Sequence, residues 1–69
     1  MHGRETDQVK AIGTTLEILE ILRDANGARV TEVAEELGVS KSTVHDHLAT
    51  LQARGFVERD GNRYVVGLR

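Results

Sequence analysis

The stretch that decides the fold is TEVAEELGVSKSTVHDHLATLQAR, residues 31–54, which predicts a short helix, a tight turn and a longer helix. Thr31 and Ser40 are the predicted N-caps, because a hydroxyl side chain accepts a bond from an N–H that a helix leaves unpaired. Gly38 can adopt the left-handed conformation that ends a helix without steric cost, so it is the predicted end of the first of these two helices. Apolar residues at helical spacing on both sides of the turn must pack together at a steep angle. The pattern therefore predicts a helix-turn-helix, whose second helix, about residues 40–54, enters the DNA major groove.

The flanking segments complete a small domain. A helix is predicted over residues 7–25, and two strands are predicted over residues 56–59 and 63–67, joined by the turn Asp60-Gly61-Asn62. Residues 28–30 offer a short third strand. The predicted fold class is mainly α (α+β), a winged helix-turn-helix with three helices plus a two- or three-stranded β wing, in which the hairpin 57–66 is the wing.

The first predicted helix carries two adjacent apolar stripes, placed at about 100° per residue. The first stripe consists of Val9, Ile12, Leu16, Leu19 and Leu22. The second consists of Ala11, Ile18, Ile21 and Ala25. A helix on one side of a three-helix core needs one stripe, so the second is covered by a second protomer, by a missing domain or by the C-terminal strands of the domain itself. The predicted core is Ile12, Leu16, Leu19, Val33, Leu37, Val44, Leu48, Leu51 and Phe56.

Length and composition indicate one small domain over residues 1–69 with a modest core. The absence of Cys argues against disulfides and thiolate zinc sites and suits a reducing cytoplasm. No apolar run approaches the roughly 20 residues that span a bilayer, so no membrane association is expected. The net charge is −2, but residues 1–39 carry −4 and residues 40–69 carry +2. The positive excess coincides with the third helix and the hairpin, although an ordinary solvated surface also produces such a split.

Candidate DNA contacts lie on the face of the third helix opposite its apolar stripe. Ser42 and Thr43 are short hydrogen-bonding residues suited to base edges or phosphates. Lys41, near the positive end of the helix dipole, suits a phosphate. Asp46 either accepts a hydrogen bond from a cytosine amino group or is a solvated acid. The predicted DNA-binding residues are Ser40, Lys41, Ser42, Thr43, His45, Asp46, Thr50, Arg59 and Arg63.

The histidines and the hairpin arginines each have a second interpretation. His45 and His47 project about 200° apart on a helix and cannot chelate one ion, so no metal is predicted. A His bonded to phosphate or simply solvated fits better. Arg59 and Arg63 bracket the hairpin turn and suit phosphate or minor-groove contacts. Alternatively, they form cross-strand ion pairs with the acidic residues of the hairpin.

The motifs VSKSTVH (residues 39–45), GFV (55–57) and YVVG (64–67), with Leu48 and Leu51 between them, resemble the DNA-binding domain of the IclR family of transcriptional regulators. The resemblance covers nearly the whole chain. It implies sequence-specific binding of double-stranded DNA as the DNA-reading domain of a regulator.

The resemblance also implies partners. In the family a larger effector-binding domain follows, so the chain is expected to be the N-terminal fragment of a longer regulator, with a small-molecule effector acting only through a missing C-terminal domain. Family members act as dimers or tetramers, which implies a homodimer through the first helix. Where the family usually has Arg after the Val-His pair, this chain has Asp46, so the DNA contact of that Arg cannot be carried over.

Two alternatives to DNA binding are a protein-interaction module and an enzyme. A winged-helix protein–protein interaction module in a transcription complex would suit the acidic balance, but it should expose apolar residues on the third helix, where this chain has small polar ones. An enzyme is not expected, because the sequence has no Gly-rich phosphate loop and no nucleophile with a positioned base. No cofactor is predicted.

Overall fold

Three helices precede an antiparallel two-stranded hairpin in the computed structural model, which describes the backbone of residues 2–67 and the side chains of residues 12–67. The elements are α1 (His2–Ala25), α2 (Val30–Leu37), α3 (Lys41–Ala53), β1 (Val57–Asp60) and β2 (Arg63–Val66). This arrangement confirms the predicted winged helix-turn-helix, although α1 begins five residues earlier than the apolar pattern indicated. None of the helices in this part of the chain has the length and apolar character needed to cross a membrane.

The turn between α2 and α3 contains the glycine stop and the N-cap that the sequence predicts. Gly38 adopts a left-handed conformation with φ 70° and its N–H donates to Ala34 O at 2.9 Å. The Oγ of Ser40 accepts from the N–H of Thr43 at 3.1 Å, which confirms Ser40 as the N-cap of α3.

The predicted N-cap at Thr31 is wrong, because α2 begins at Val30 and Arg29 is its N-cap. The N–H of Arg29 donates to Glu32 Oε1 at 2.8 Å. This is the reciprocal half of a capping box, in which an acid three residues into the helix binds the backbone of the cap. The carboxylate of Glu32 therefore fixes the start of α2 two residues before the predicted hydroxyl.

The hairpin is closed by two residues rather than three. Asp60 pairs with Arg63, so Asp60 ends β1 and the turn is Gly61-Asn62, with Gly61 at φ 66°. The proposed third strand is reduced to an isolated bridge, in which Ala28 N–H donates to Tyr64 O at 3.0 Å and Tyr64 N–H to Ala28 O at 2.8 Å. The strand stops there because the next residue already caps α2.

The core joins the three helices to the inner face of the hairpin. Its buried members are Ile18, Leu22, Ala28, Val33, Ala34, Val44, Leu48, Leu51, Val57 and Tyr64. Leu19 and Leu37, two of the predicted core residues, are partly buried against this cluster.

Three predicted core residues lie outside it: Ile12, Leu16 and Phe56 are 61%, 53% and 45% exposed. The face of α1 that packs inward is centred on Ile18 and Leu22, one from each predicted stripe. Helix α1 packs against β2, and this contact rotates the helix away from the predicted orientation. The open question about the second stripe is thus answered for Ile18, which is buried in the domain itself.

Candidate nucleic-acid interface

The outer face of α3 carries exposed side chains, and Asp46 and Thr50 on it also line a hollow beside Thr15 of α1. Val44, Leu48 and Leu51 are buried beneath it. The predicted contact residues on its other side are exposed, apart from the half-buried Thr43; they are Lys41, Ser42, His45, Asp46 and Thr50. This face also carries the small exposed side chains of Ala49 and Ala53. The backbone of α3 can therefore approach a groove closely.

Three hydroxyl groups form a cluster at the start of α3. Ser40 Oγ lies 2.8 Å from Thr43 Oγ1 and 3.1 Å from Ser42 Oγ, besides accepting the N–H of Thr43. Ser40 is therefore occupied as a cap, and its predicted role as a DNA contact competes with that bond. Ser40 and Ser42 are exposed, whereas Thr43 is half-buried.

A groove of about 360 Å³ lies between the start of α2, the side of α3 and the hairpin. Its polar lining consists of Arg29, Thr31, His45, Arg59 and Asn62, with Tyr64 at its base. Among the described residues that line it, none is acidic. His45 belongs to both α3 and the groove, so the two surfaces are continuous.

Sequence reasoning missed three residues of this groove, Arg29, Thr31 and Asn62. They come together because the Ala28–Tyr64 bridge brings the start of α2 beside the hairpin. The sequence contains one indication of this arrangement, the short third strand predicted over residues 28–30. A strand there that pairs with the hairpin places Arg29 beside the wing.

The hairpin arginines are held by backbone carbonyl groups rather than by the carboxylates of the hairpin. Arg59 Nε donates to Gly61 O at 3.0 Å, and its guanidinium carbon lies 5.9 Å from the centre of the Tyr64 ring. Arg63 Nη2 donates to Gly27 O at 3.3 Å, so this side chain reaches back towards the loop before α2. Arg59 thus lies in the groove, whereas Arg63 lies beside it and does not line it.

The two histidines of α3 have different surroundings. His47 Nδ1 lies 2.9 Å from Thr15 Oγ1 in a partly buried contact that joins α3 to α1, whereas His45 faces the groove beside the hairpin. Throughout the described side chains, no three His, Cys, Asp or Glu residues come together in a way that could hold a metal ion.

Charge is separated along α2. The groove at its first residues contains Arg29 and Arg59. A second groove of about 450 Å³ lies between α1 and the last residues of α2, and it is lined by Glu17, Glu20, Asp24 and Glu36 around Ile21 and Leu37. Eight helical residues separate the two ends by about 12 Å. Among the described side chains, a basic groove and an acidic groove therefore lie at opposite ends of α2, in addition to the difference in charge between residues 1–39 and 40–69.

Comparisons with known proteins show which family the chain resembles. Residues 11–61 match the IclR helix-turn-helix domain. The chain is 40% identical over 60 residues to the HTH-type transcriptional regulator BhcR of Paracoccus denitrificans, which covers 87% of this chain and 22% of BhcR. It is 39% identical over 57 residues to the transcriptional repressor IclR of Escherichia coli, covering 81% of this chain and 21% of the repressor.

A solved structure is similar throughout the same region. The crystal structure of an IclR transcriptional regulator from Alicyclobacillus acidocaldarius superposes with a TM-score of 0.79 at 32% sequence identity, covering 86% of this chain and 25% of that one. The chain thus spans no more than about a quarter of the length of these relatives.

Proposed function

Because the chain belongs to the IclR helix-turn-helix domain family, we propose that it binds double-stranded DNA sequence-specifically as the DNA-reading domain of a cytoplasmic transcriptional regulator. In this proposal α3 lies in the major groove and the β1–β2 hairpin is the wing. The observation that carries it is the continuity of the small, polar outer face of α3 with the basic groove beside the hairpin. We propose no enzymatic activity and no cofactor.

The exposed residues of α3 divide into two roles. Lys41, at the start of the helix, binds a phosphate, where the helix dipole adds to its charge. Ser42 reads a base edge from the centre of the open face, and Asp46, one turn later on the same face, accepts a hydrogen bond from a cytosine amino group. His45 and Thr50 flank this row and contact the DNA backbone.

We also propose that two copies associate through α1, by a different face from the one the sequence indicated. Ile18 is fully buried and unavailable to a partner. The exposed apolar residues Leu16 and Phe56, with Leu19 and Val66, line a hollow of about 390 Å³, and Ile12 extends this surface along α1. A two-fold pair formed here presents its two α3 helices about 34 Å apart, one turn of DNA, or a multiple of that distance. So small a surface gives weak association.

An effector belongs outside these residues. The relatives are four to five times as long as the matched region, which leaves room for a separate effector-binding domain in a complete regulator. We propose that a small molecule acts on DNA binding through such a domain.

The test is binding of the 69-residue chain to duplex DNA at several salt concentrations, after selection of a preferred site from a random duplex library. The logarithm of the association constant is expected to fall linearly with the logarithm of the salt concentration, because phosphate neutralisation releases counterions. The selected site is expected to bind more tightly than its scrambled version at every salt concentration. Absence of salt-dependent binding would refute the proposal and favour the protein-interaction module.

A further inference from the structure

We propose that the groove between the start of α2 and the hairpin is a clamp for one backbone phosphate of the bound DNA, in which Arg29 and Arg59 hold the phosphate and Glu32 competes with the phosphate for the Arg29 guanidinium. The inference rests on the proposed DNA-binding function and adds to it a contact outside α3. Arg29, Glu32 and Asn62 were not among the residues that the sequence indicated.

The two arginines are held in place by one continuous backbone ladder. Ala28 exchanges two hydrogen bonds with Tyr64, and Tyr64 is in turn the cross-strand partner of Arg59. Three chain segments therefore lie side by side, and two strand spacings place Ala28 and Arg59 about 10 Å apart. Arg29 directly follows Ala28 and is the N-cap of α2, and Arg29 and Arg59 both line the groove beside this ladder.

Arg59 is oriented before any ligand arrives. Its Nε is bound to Gly61 O, and its guanidinium lies over the ring of the buried Tyr64. One of five N–H donors is used in this way, and the four on the terminal nitrogens remain for a ligand. A guanidinium with two neighbouring donors matches the oxygen spacing of a phosphate.

Glu32 acts on Arg29 through two oxygens with different strengths. Oε1 accepts the backbone N–H of Arg29 at 2.8 Å and fixes the start of α2. Oε2 lies 3.5 Å from Nη2 of Arg29, which is longer than a good N–H···O bond, and both side chains are about half exposed. A phosphate can therefore take over the guanidinium while the cap stays intact.

The donor set selects an anion. The groove of about 360 Å³ is lined by two arginines and by His45, Thr31 and Asn62, whose side chains can all donate hydrogen bonds. Because His45 also belongs to the open face of α3, an anion in this groove lies beside the DNA that α3 reads. A backbone phosphate is the anion that DNA supplies there.

The experiment compares Arg29→Gln with Arg23→Gln in the full 69-residue chain. Arg23 is an exposed arginine on α1, paired with Asp24 at 3.0 Å and outside the groove, so it controls for the loss of one positive charge. Because Arg23 also borders the proposed α1 interface, both variants are first compared with the wild-type chain for self-association by sedimentation equilibrium. Arg29→Gln is expected to weaken binding to the selected site and to scrambled DNA alike, by about eightfold at 0.1 M salt, and to make the salt slope shallower by about 0.9. Arg23→Gln should leave the slope unchanged.

Glu32→Gln removes the ion pair with the Arg29 side chain and keeps the hydrogen bond to the Arg29 backbone. A glutamine at this position still accepts the backbone N–H of the cap, so the melting temperature at neutral pH is expected to fall only by the small contribution of one exposed carboxylate. Release of the Arg29 guanidinium should raise DNA affinity about two- to fivefold, and this gain should shrink when Arg29 is already Gln.

Each outcome decides a different claim. Wild-type binding with equal slopes for the Arg29 and Arg23 variants would overturn the clamp and leave the proposed function standing. If Glu32→Gln raises DNA affinity equally when Arg29 is already Gln, Glu32 does not act through Arg29, and its proposed role in the clamp is wrong. Failure of the wild-type chain to bind duplex DNA at any salt concentration would overturn the proposed function and the clamp together.

Discussion

Replacing Leu48 with alanine is expected to remove a large part of the stability of the domain. Leu48 lies on the inner face of α3 and its side chain is 0% exposed. Truncating a fully buried leucine costs about 2–5 kcal/mol, through lost transfer free energy and the cavity left behind. A 69-residue domain unfolds at a cost of roughly 3–10 kcal/mol, so the variant is expected to be marginally folded at 25 °C.

Leu16→Ala is the matched control, because the sequence places both leucines in one core. Full burial of a leucine is worth about 1.5–3 kcal/mol. Since Leu16 is 53% exposed, less than half of that contribution is at stake, and the expected cost is about 1 kcal/mol or less. Urea titrations followed by circular dichroism at 222 nm measure both free energies of unfolding, at low protein concentration so that self-association does not contribute.

A second pair keeps the comparison valid if Leu48→Ala is unfolded without denaturant. Ile18 is fully buried and Ile12 is 61% exposed. Ile18→Val is therefore expected to cost about 0.5–1.5 kcal/mol, and Ile12→Val almost nothing. Equal costs within each pair would refute the assignment of the inner face of α1 and restore the orientation that the apolar stripes suggested.

Four further outcomes follow from the structure. The backbone hydrogen bond from the α2 N-cap lowers the pKa of Glu32 below its ordinary value of 4.5. The stability it contributes is therefore complete above pH 4.5 and is lost as pH falls through the lowered pKa, and Glu32→Gln should flatten this part of an acid unfolding curve. Lys41→Ala should weaken binding to the selected site and to scrambled DNA equally and reduce the salt slope by about one, whereas Ser42→Leu should mainly reduce the preference for the selected site. Asp46→Arg should raise affinity for all duplexes and erase discrimination worth about 1–3 kcal/mol at one base pair, and unchanged discrimination would show that Asp46 contacts no base. Leu16→Glu should abolish weak self-association in sedimentation equilibrium at millimolar concentration, and a wild-type chain that is monomeric there would contradict the proposed α1 interface.

The sequence predicted best those features that depend on neighbouring residues. The glycine stop at Gly38, the cap at Ser40 and the hairpin turn at Gly61 are each determined within four or five residues. The first two appear where expected, and the turn is one residue shorter than expected. The predicted N-cap at Thr31 is wrong, because the bridge from Ala28 to the hairpin and the carboxylate of Glu32 determine where α2 begins.

The inner face of α1 depends on distant contacts. Both stripes are apolar, so periodicity alone cannot choose between them, and the packing of β2 against the helix makes the choice. Distant contacts also explain why the sequence did not indicate the part of the candidate site that lies outside α3. The residues of α3 follow from helical spacing, but Arg29 and Asn62 are more than 30 positions apart in sequence and meet when the hairpin folds back beside α2.

The separation of charge along α2 has a consequence for how the molecule meets a polyanion. At physiological ionic strength the screening length is about 8 Å, shorter than the roughly 12 Å between the basic and acidic ends of this helix. A DNA molecule approaching the Arg29 end therefore senses little of Glu36, and encounters through the opposite face are repelled. At about 0.01 M salt the screening length grows to about 30 Å, and both ends act on the DNA at once. The linear dependence of the association constant on salt is therefore expected near physiological ionic strength, and the gain in affinity should level off near 0.01 M salt, where the acidic groove also acts on the DNA.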